Sequence, residues 1–319
     1  LTEAIDISAT ALLPLVVFPL AGILPMSRAA APYADPVIFL FMGGFMMAGS
    51  MQRWGLDRRI ALIALSATGT TAAGMTAGVM CVTAVLSMWV SNTATAAMML
   101  PIALSVLALA KRARSDRPST SPAHDMGPAA PVEGGRHTRE PGGSGSDSPD
   151  RRLSLCLLLG IAYAASIGGM GTIIGSPPNG IAAAFIEETY GRQVSFLQWM
   201  LFAVPLIVLL LVATWFLLVY VLFRPPRGPI EGGGALIRAE RARLGAMSAG
   251  EWVTFAVFMV TATAWICRPW LVEIRIGDMA PLARLSDAGI AMTAALLLLV
   301  IPVRLRPVEP VLNWRSAER

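Results

Sequence analysis

Apolar and polar positions along this chain are arranged on the scale of a lipid bilayer. Long apolar runs alternate with short segments rich in arginine, and a hydrocarbon core about 30 Å thick takes roughly 20 apolar residues of helix to cross. By that measure residues 7–26 and 36–52 each predict one crossing, joined by a turn around Arg28 and Asp35. Arg53, Asp57, Arg58 and Arg59 then mark a cytoplasmic return, with Trp54 as an interface anchor. Further on, residues 199–223, 251–270 and 288–303 predict single spans. The arginine-rich stretch Arg224–Arg243, then Arg304 and Arg306, and the terminal Leu312-Asn313-Trp314-Arg315 fall on the inside.

Two apolar stretches break this pattern. From Ile60 to Ala110 there is no Asp, Glu, Lys, Arg or His in 51 residues, too long for one span and too poor in loop signals for two ordinary ones. An interfacial helix over 60–73, followed by arms at 75–90 and 94–110, predicts a re-entrant hairpin with Ser91-Asn92-Thr93 at its tip. Arg58-Arg59 before it and Lys111-Arg112-Ala113-Arg114 after it place both ends on the same, positive side. Irregular backbone at membrane depth is tolerated only where protein or a water-filled cavity surrounds it, which makes the tip a site candidate. The second stretch, Leu153 to Ile186, is interrupted by Gly168-Gly169-Met170-Gly171-Thr172 and Gly175-Ser176-Pro177-Pro178-Asn179. It predicts a broken helix, with one half near 153–167 and the other beginning at about Pro178.

Composition agrees with a membrane protein: 55% of the 319 residues are hydrophobic, 14% are charged, and the mean hydropathy is +0.64. The net charge of +5 does not indicate nucleic acid, because the arginines sit between apolar runs. Cys81, Cys156 and Cys267 are isolated in apolar runs, which argues against disulfides or a zinc site and for small core residues. His124 and His137 lie in a polar segment with no ligand neighbours. No nucleophile–base pair or phosphate-binding glycine loop supports an enzyme, and no cofactor is implied. Residues 112–151, rich in Gly, Ser and Pro, read as a disordered cytoplasmic loop. The chain shows no signal peptide and opens on Leu1 almost directly into an apolar run, the expected appearance of a start inside a larger protein.

The two breaks carry the candidate chemistry. A discontinuous helix offers a positive N-terminal end to an anion and C-terminal carbonyls to a cation such as sodium. Ser91, Asn92 and Thr93 are capping residue types at the start of the second arm, and Asn92 can face a cation with its carbonyl and a carboxylate with its amide. Ser87, one turn before Ser91, adds a hydroxyl on the same helix face. Such a neutral site needs no buried acid. The competing account, in which these hydroxyls merely bond to the preceding turn, does not explain two breaks in two charge-free segments.

At these residues the sequence resembles the divalent anion:sodium symporter family, related to solute carrier family 13. The resemblance runs through Pro36-Val37-Ile38-Phe39-Leu40-Phe41-Met42-Gly43-Gly44-Phe45, through Ser87-Met88-Trp89-Val90-Ser91-Asn92-Thr93-Ala94-Thr95-Ala96-Ala97-Met98-Met99-Leu100-Pro101, and from Ser166-Ile167-Gly168-Gly169 to Gly175-Ser176-Pro177-Pro178-Asn179. The second of these segments is highly specific.

It implies an all-α polytopic bundle, one half of an inverted-repeat elevator transporter that works as a homodimer in the bacterial inner membrane. Scaffold spans would occupy 1–59 and 250–319, transport-domain elements 60–111 and 152–223, and cytoplasmic segments 112–151 and 224–249. Ser87, Ser91, Asn92 and Gly175 would bind a sodium ion, and Asn92, Thr93, Ser176 and Pro177 the substrate, a small di- or tricarboxylate. Ser176 stands where the family usually carries Thr. Two spans expected before Leu1, and the second hairpin of the repeat, lie outside the chain. Sulfate transport, anion exchange and a truncated, non-transporting membrane fragment remain as alternatives.

Overall fold

The computed structural model describes residues 6–115, 149–225, 228, 232–275, 278–305 and 308–313. The described residues are dominated by helices: α1 (Ile7–Leu20), α2 (Met26–Ala30), α3 (Pro36–Trp54), α4 (Leu56–Ser66), α5 (Ala72–Ser87), α6 (Asn92–Ser115), α7 (Pro149–Gly169), α8 (Pro177–Tyr190), α9 (Phe196–Phe216), α10 (Gly233–Arg243), α11 (Ala249–Leu271) and α12 (Asp287–Val300). Single turns of 3-10 helix occupy Ala31–Ala34 and Ile173–Gly175, and α9 continues as a π-helix over Leu217–Leu222. A short antiparallel pair, β1 (Pro302–Leu305) and β2 (Val308–Pro310), follows α12. Among the described residues, five stretches are long and apolar enough to cross a membrane: Met26–Trp54, Asn92–Lys111, Pro149–Gly169, Phe196–Leu222 and Ala249–Leu271. The protein is a multi-pass helical membrane protein.

The expected boundaries shift for identifiable reasons. Residues 7–26 are not one helix: α1 ends at Leu20, Gly22 adopts φ 68° and Pro25 precedes α2. The second arm of the 60–110 segment is longer than 94–110, because Lys111, Arg112 and Arg114 are good helix formers and nothing stops the helix before Ser115. The stretch 224–249 contains α10, and residues 288–303 divide into α12 and β1 at Ile301, whose backbone is extended. Of the loop expected over 112–151, residues 116–148 lie outside the described residues, as do His124 and His137, and the two ends are helical.

The chain forms two compact units. One comprises Leu1–Leu56, Thr172–Phe202 and Met247–Arg319, the other Asp57–Gly171 and Ala203–Ala246. In the first, α3 packs on α12 so closely that a Cβ on Gly43 would stand 2.6 Å from the Ala291 carbonyl carbon. Small residues at helix crossings of this kind replace the hydrophobic driving force that a bilayer does not supply. Ser50 and Thr254 share a buried hydrogen bond of 2.9 Å between α3 and α11. Trp54 is not a free interfacial anchor. It packs on Gly250, and its indole N–H donates to the Val311 carbonyl at 2.8 Å.

In the second unit α5 and α7 run side by side in the same direction. Thr76 lies beside Cys156, Met80 beside Gly160, Ala84 beside Gly168 and Ser87 beside Ala165. α6 returns along both, and its buried Met99, Ala103 and Val106 join Val79, Val82, Leu86, Leu157 and Ile161 in one apolar cluster. The Trp215 indole holds the first turn of α5 through the Ala73 carbonyl at 3.1 Å. Basic residues gather at one end: Arg58 pairs with Glu240 of α10 at 2.9 Å, and Arg59 donates to the Gly245 carbonyl just past α10 at 2.9 Å.

Candidate functional site

The break between α5 and α6 is a tight turn of four residues. Trp89 and Val90 donate back to the Leu86 carbonyl at 3.0 and 2.9 Å, so α5 closes on itself rather than continuing. Ser91 then caps α6: its Oγ receives the Ala94 N–H at 3.4 Å and its carbonyl the Thr95 N–H at 2.9 Å. The expectation that Ser87 and Ser91 share one helix face is therefore corrected. Ser87 is the last residue of α5 and Ser91 lies beyond the turn, so the helical repeat does not relate them.

Across the turn, Ser87 meets Asn92. The Ser87 Oγ lies 2.7 Å from Asn92 Oδ1 and also 2.7 Å from the carbonyl oxygen of Ala165 on α7. A serine hydroxyl carries one proton and can satisfy only one of these acceptors. Three oxygens thus converge with one proton among them, an electron-rich arrangement that a hard cation would complete. Ser87 is fully buried and Asn92 half-buried, while Ser91 and Thr93 are exposed in the turn and first helical turn.

The glycines of α7 make this convergence possible. Gly168 and Gly169 continue the helix instead of breaking it, and neither has positive φ. A Cβ on Gly169 would stand 2.2 Å from Asn92 Oδ1, and one on Gly168 would stand 2.3 Å from the Ala84 carbonyl oxygen. Their role is close approach of α7 to the α5–α6 turn.

Gly175, Ser176 and Pro177 belong to the first unit. Thr172 caps the 3-10 turn there, its Oγ1 receiving the Gly175 N–H at 3.1 Å, and the Asn179 amide donates to the Thr172 carbonyl at 2.8 Å. Ser176 occupies the N-cap of α8 with no side-chain capping bond, Pro177 is exposed, and Gly175 is buried. Pro177 and Pro178 remove two of the N–H groups that an anion at this helix end would need, and the Asn179 N–H is spent on the Ser176 carbonyl at 3.0 Å. The Ser176 hydroxyl, with no capping bond of its own, is a donor that this terminus offers.

Among the predicted residues, the structure brings Ser87 and Asn92 together, uses Ser91 as a cap and leaves Thr93 on the surface of α6. Sequence reasoning missed the Ala165 carbonyl and the close approach at Gly169. Both carried a usable signal, since Ala164 and Ala165 each precede a glycine by four residues, the small-residue spacing of close helix packing. Among the described residues no group of His, Cys, Asp and Glu could hold a metal ion.

Comparison with known proteins matches residues 1–318 to the family described as the sodium:sulfate symporter transmembrane region. A sodium-dependent dicarboxylate transporter, SdcS, of Staphylococcus saprophyticus is 32% identical over the whole of this chain and 56% of its own length. The SdcS protein of Staphylococcus aureus strain bovine RF122 is 33% identical over the whole chain and 55% of its own length. The chain spans about half the length of these relatives. With its motifs in place along the described helices, the chain belongs to the sodium:sulfate symporter family, the divalent anion:sodium symporters that its sequence resembles.

Proposed function

We propose that this chain carries one half of a sodium-coupled symporter of small di- or tricarboxylates. The observation that carries the reading is the convergence of Ser87 Oγ, Asn92 Oδ1 and the Ala165 carbonyl around a single proton. Uncharged oxygens at a helix break can hold sodium without the penalty of burying a carboxylate, and can release it again. Ser91 sits beside this cluster in the turn. The substrate's carboxylate falls to Asn92 and Thr93. The dicarboxylate is favoured over sulfate because the relatives matched across the whole chain are sodium-dependent dicarboxylate transporters.

A re-entrant α5–α6 hairpin fits this role. α5 has 16 residues, about 24 Å of helix, and runs parallel to α7, which begins next to Arg151 and Arg152. The turn at 88–91 then lies within the bilayer, and residues 112–151 and 224–249 face the cytoplasm. Elevator movement of a homodimer in the bacterial inner membrane completes the proposal.

The test is succinate uptake by the full-length protein in proteoliposomes, with choline replacing sodium. Undiminished uptake in choline overturns symport, and sulfate uptake that succinate does not compete with overturns the dicarboxylate. Asn92→Ala is expected to abolish sodium-driven uptake while leaving membrane insertion intact.

A further inference from the structure

Thr95 behaves unlike the other buried threonines of the described helices. Thr76, Thr83 and Thr261 each donate their hydroxyl to the carbonyl four residues back, at 2.8, 2.6 and 2.7 Å. Thr254 pairs with Ser50 at 2.9 Å. Thr95 has a carbonyl in the same place, at Ser91, which its own backbone N–H reaches at 2.9 Å. Yet its Oγ1 has no hydrogen-bond partner among the described residues, although Thr95 is 1% exposed. Buried hydroxyls are nearly always bonded, so an orphan at this depth calls for an explanation.

Its position supplies one. Thr95, Met99, Ala103 and Val106 form the buried stripe of α6, and the last three pack against Leu86 of α5 and Ile161 of α7. That stripe faces the junction where Ser87 and Ala165 meet Asn92. Thr95 is one turn below Asn92, and residues three apart on a helix have Cβ atoms about 5–6 Å apart. A hard cation about 2.3–2.6 Å from each of two oxygens spans such a gap.

We propose that Thr95 Oγ1 is an additional ligand of the sodium ion at the α5–α6 turn, beneath Ser87 Oγ, Asn92 Oδ1 and the Ala165 carbonyl. The inference rests on the sodium-site reading above. It accounts for the one buried threonine hydroxyl left without a partner among the described residues.

The experiment is a sodium titration of thermal stability on the purified full-length protein, with choline holding ionic strength constant. Thr95→Val keeps the shape and removes the hydroxyl, and Thr95→Ser keeps the hydroxyl. Thr95→Val is expected to raise the half-saturating sodium concentration roughly tenfold, with Thr95→Ser close to the parent. If Thr95→Val does not fold, Thr95→Ala carries the same comparison. A Thr95→Val protein that sodium stabilises over choline with the parent's sodium midpoint overturns the inference and leaves the sodium site standing. A parent protein whose stability ignores sodium overturns both.

Discussion

Gly169→Ala is the most direct perturbation of the site, because one methyl group acts on one atom. The added Cβ would stand 2.2 Å from Asn92 Oδ1 and 2.9 Å from Asn92 Cγ and Nδ2, where ordinary contact begins near 3.4 Å. The amide must retreat by more than an ångström. Its contact with Ser87 Oγ is 2.7 Å, so a retreat of that size carries it past the range of a hydrogen bond or a shared ligand. Overpacking of this kind costs about 1–3 kcal/mol, which corresponds to roughly 5- to 150-fold in an equilibrium constant. The loss should appear mainly in sodium affinity. Sodium activation of succinate uptake, together with sodium-dependent thermal stabilisation, measures it, and the half-saturating concentration is expected to rise about tenfold. Gly168→Ala is the contrast. Its Cβ would meet the Ala84 backbone at 2.3 and 2.5 Å, which cannot swing aside, so that variant should lose stability equally with and without sodium. An unchanged sodium curve for Gly169→Ala in a folded protein would refute the placement of Asn92.

Other substitutions separate site from scaffold. Ser87→Ala removes the one proton of the oxygen cluster and should weaken sodium binding by about 1–3 kcal/mol, read as a shift of the same titration. Trp215→Phe deletes the hydrogen bond to the Ala73 carbonyl and should cost about 1 kcal/mol of stability with sodium affinity unchanged. In the first unit Asp287 accepts from Arg268 at 3.0 Å and from the Phe196 N–H at 3.1 Å. Asp287→Asn strands the guanidinium, and since both side chains retain some exposure the expected loss is about 2 kcal/mol rather than that of a fully buried pair. Burial raises the Asp57 carboxyl above its ordinary value, against the lowering effect of the Arg58 N–H and charge. A raised folded value means that the carboxyl favours the fold in acid and that this contribution fades as pH rises through it. Asp57→Asn should therefore raise the thermal midpoint near pH 7.5 relative to the parent and lose that advantage near pH 4. A gain independent of pH would contradict the burial argument.

How much of this was legible in the sequence depended on what each feature needed to be seen. Apolar length alone located the long helices, since α3, α9 and α11 cover most of the residues marked as spans. Charge-free runs located both interruptions, and the capping chemistry of Ser-Asn-Thr placed the start of α6 to within two residues of Ala94. Helix ends were less legible because they depend on competition among nearby signals: α1 stops six residues before the expected end at Met26, because Gly22 adopts φ 68°. The site was legible as residue types and not as geometry. A hydroxyl at Ser87 is visible in the sequence, but its second acceptor is the backbone of Ala165, 78 residues away, and a carbonyl has no residue-type signature.

The same limit explains why the glycines were read as breaks. Gly168-Gly169 next to a proline-containing turn looks like punctuation when only one strand of sequence is considered, whereas the second helix supplies the reason for them: the space for a Cβ is taken by Ala84 and Asn92. Helix α7 then serves as a wall. It presents a carbonyl at Ala165 and, one turn on, an absence of side chain at Gly169, and it is this pairing that lets Asn92 come within reach of Ser87. A site assembled in this way has a physical consequence for coupling. No acid fixes the charge in place, the proposed ligands are a hydroxyl, an amide and a carbonyl, and each is weak alone. Affinity then depends on all of them being held together by packing, so displacement of any one element should release the ion, and a methyl group at position 169 tests that dependence with the smallest available change.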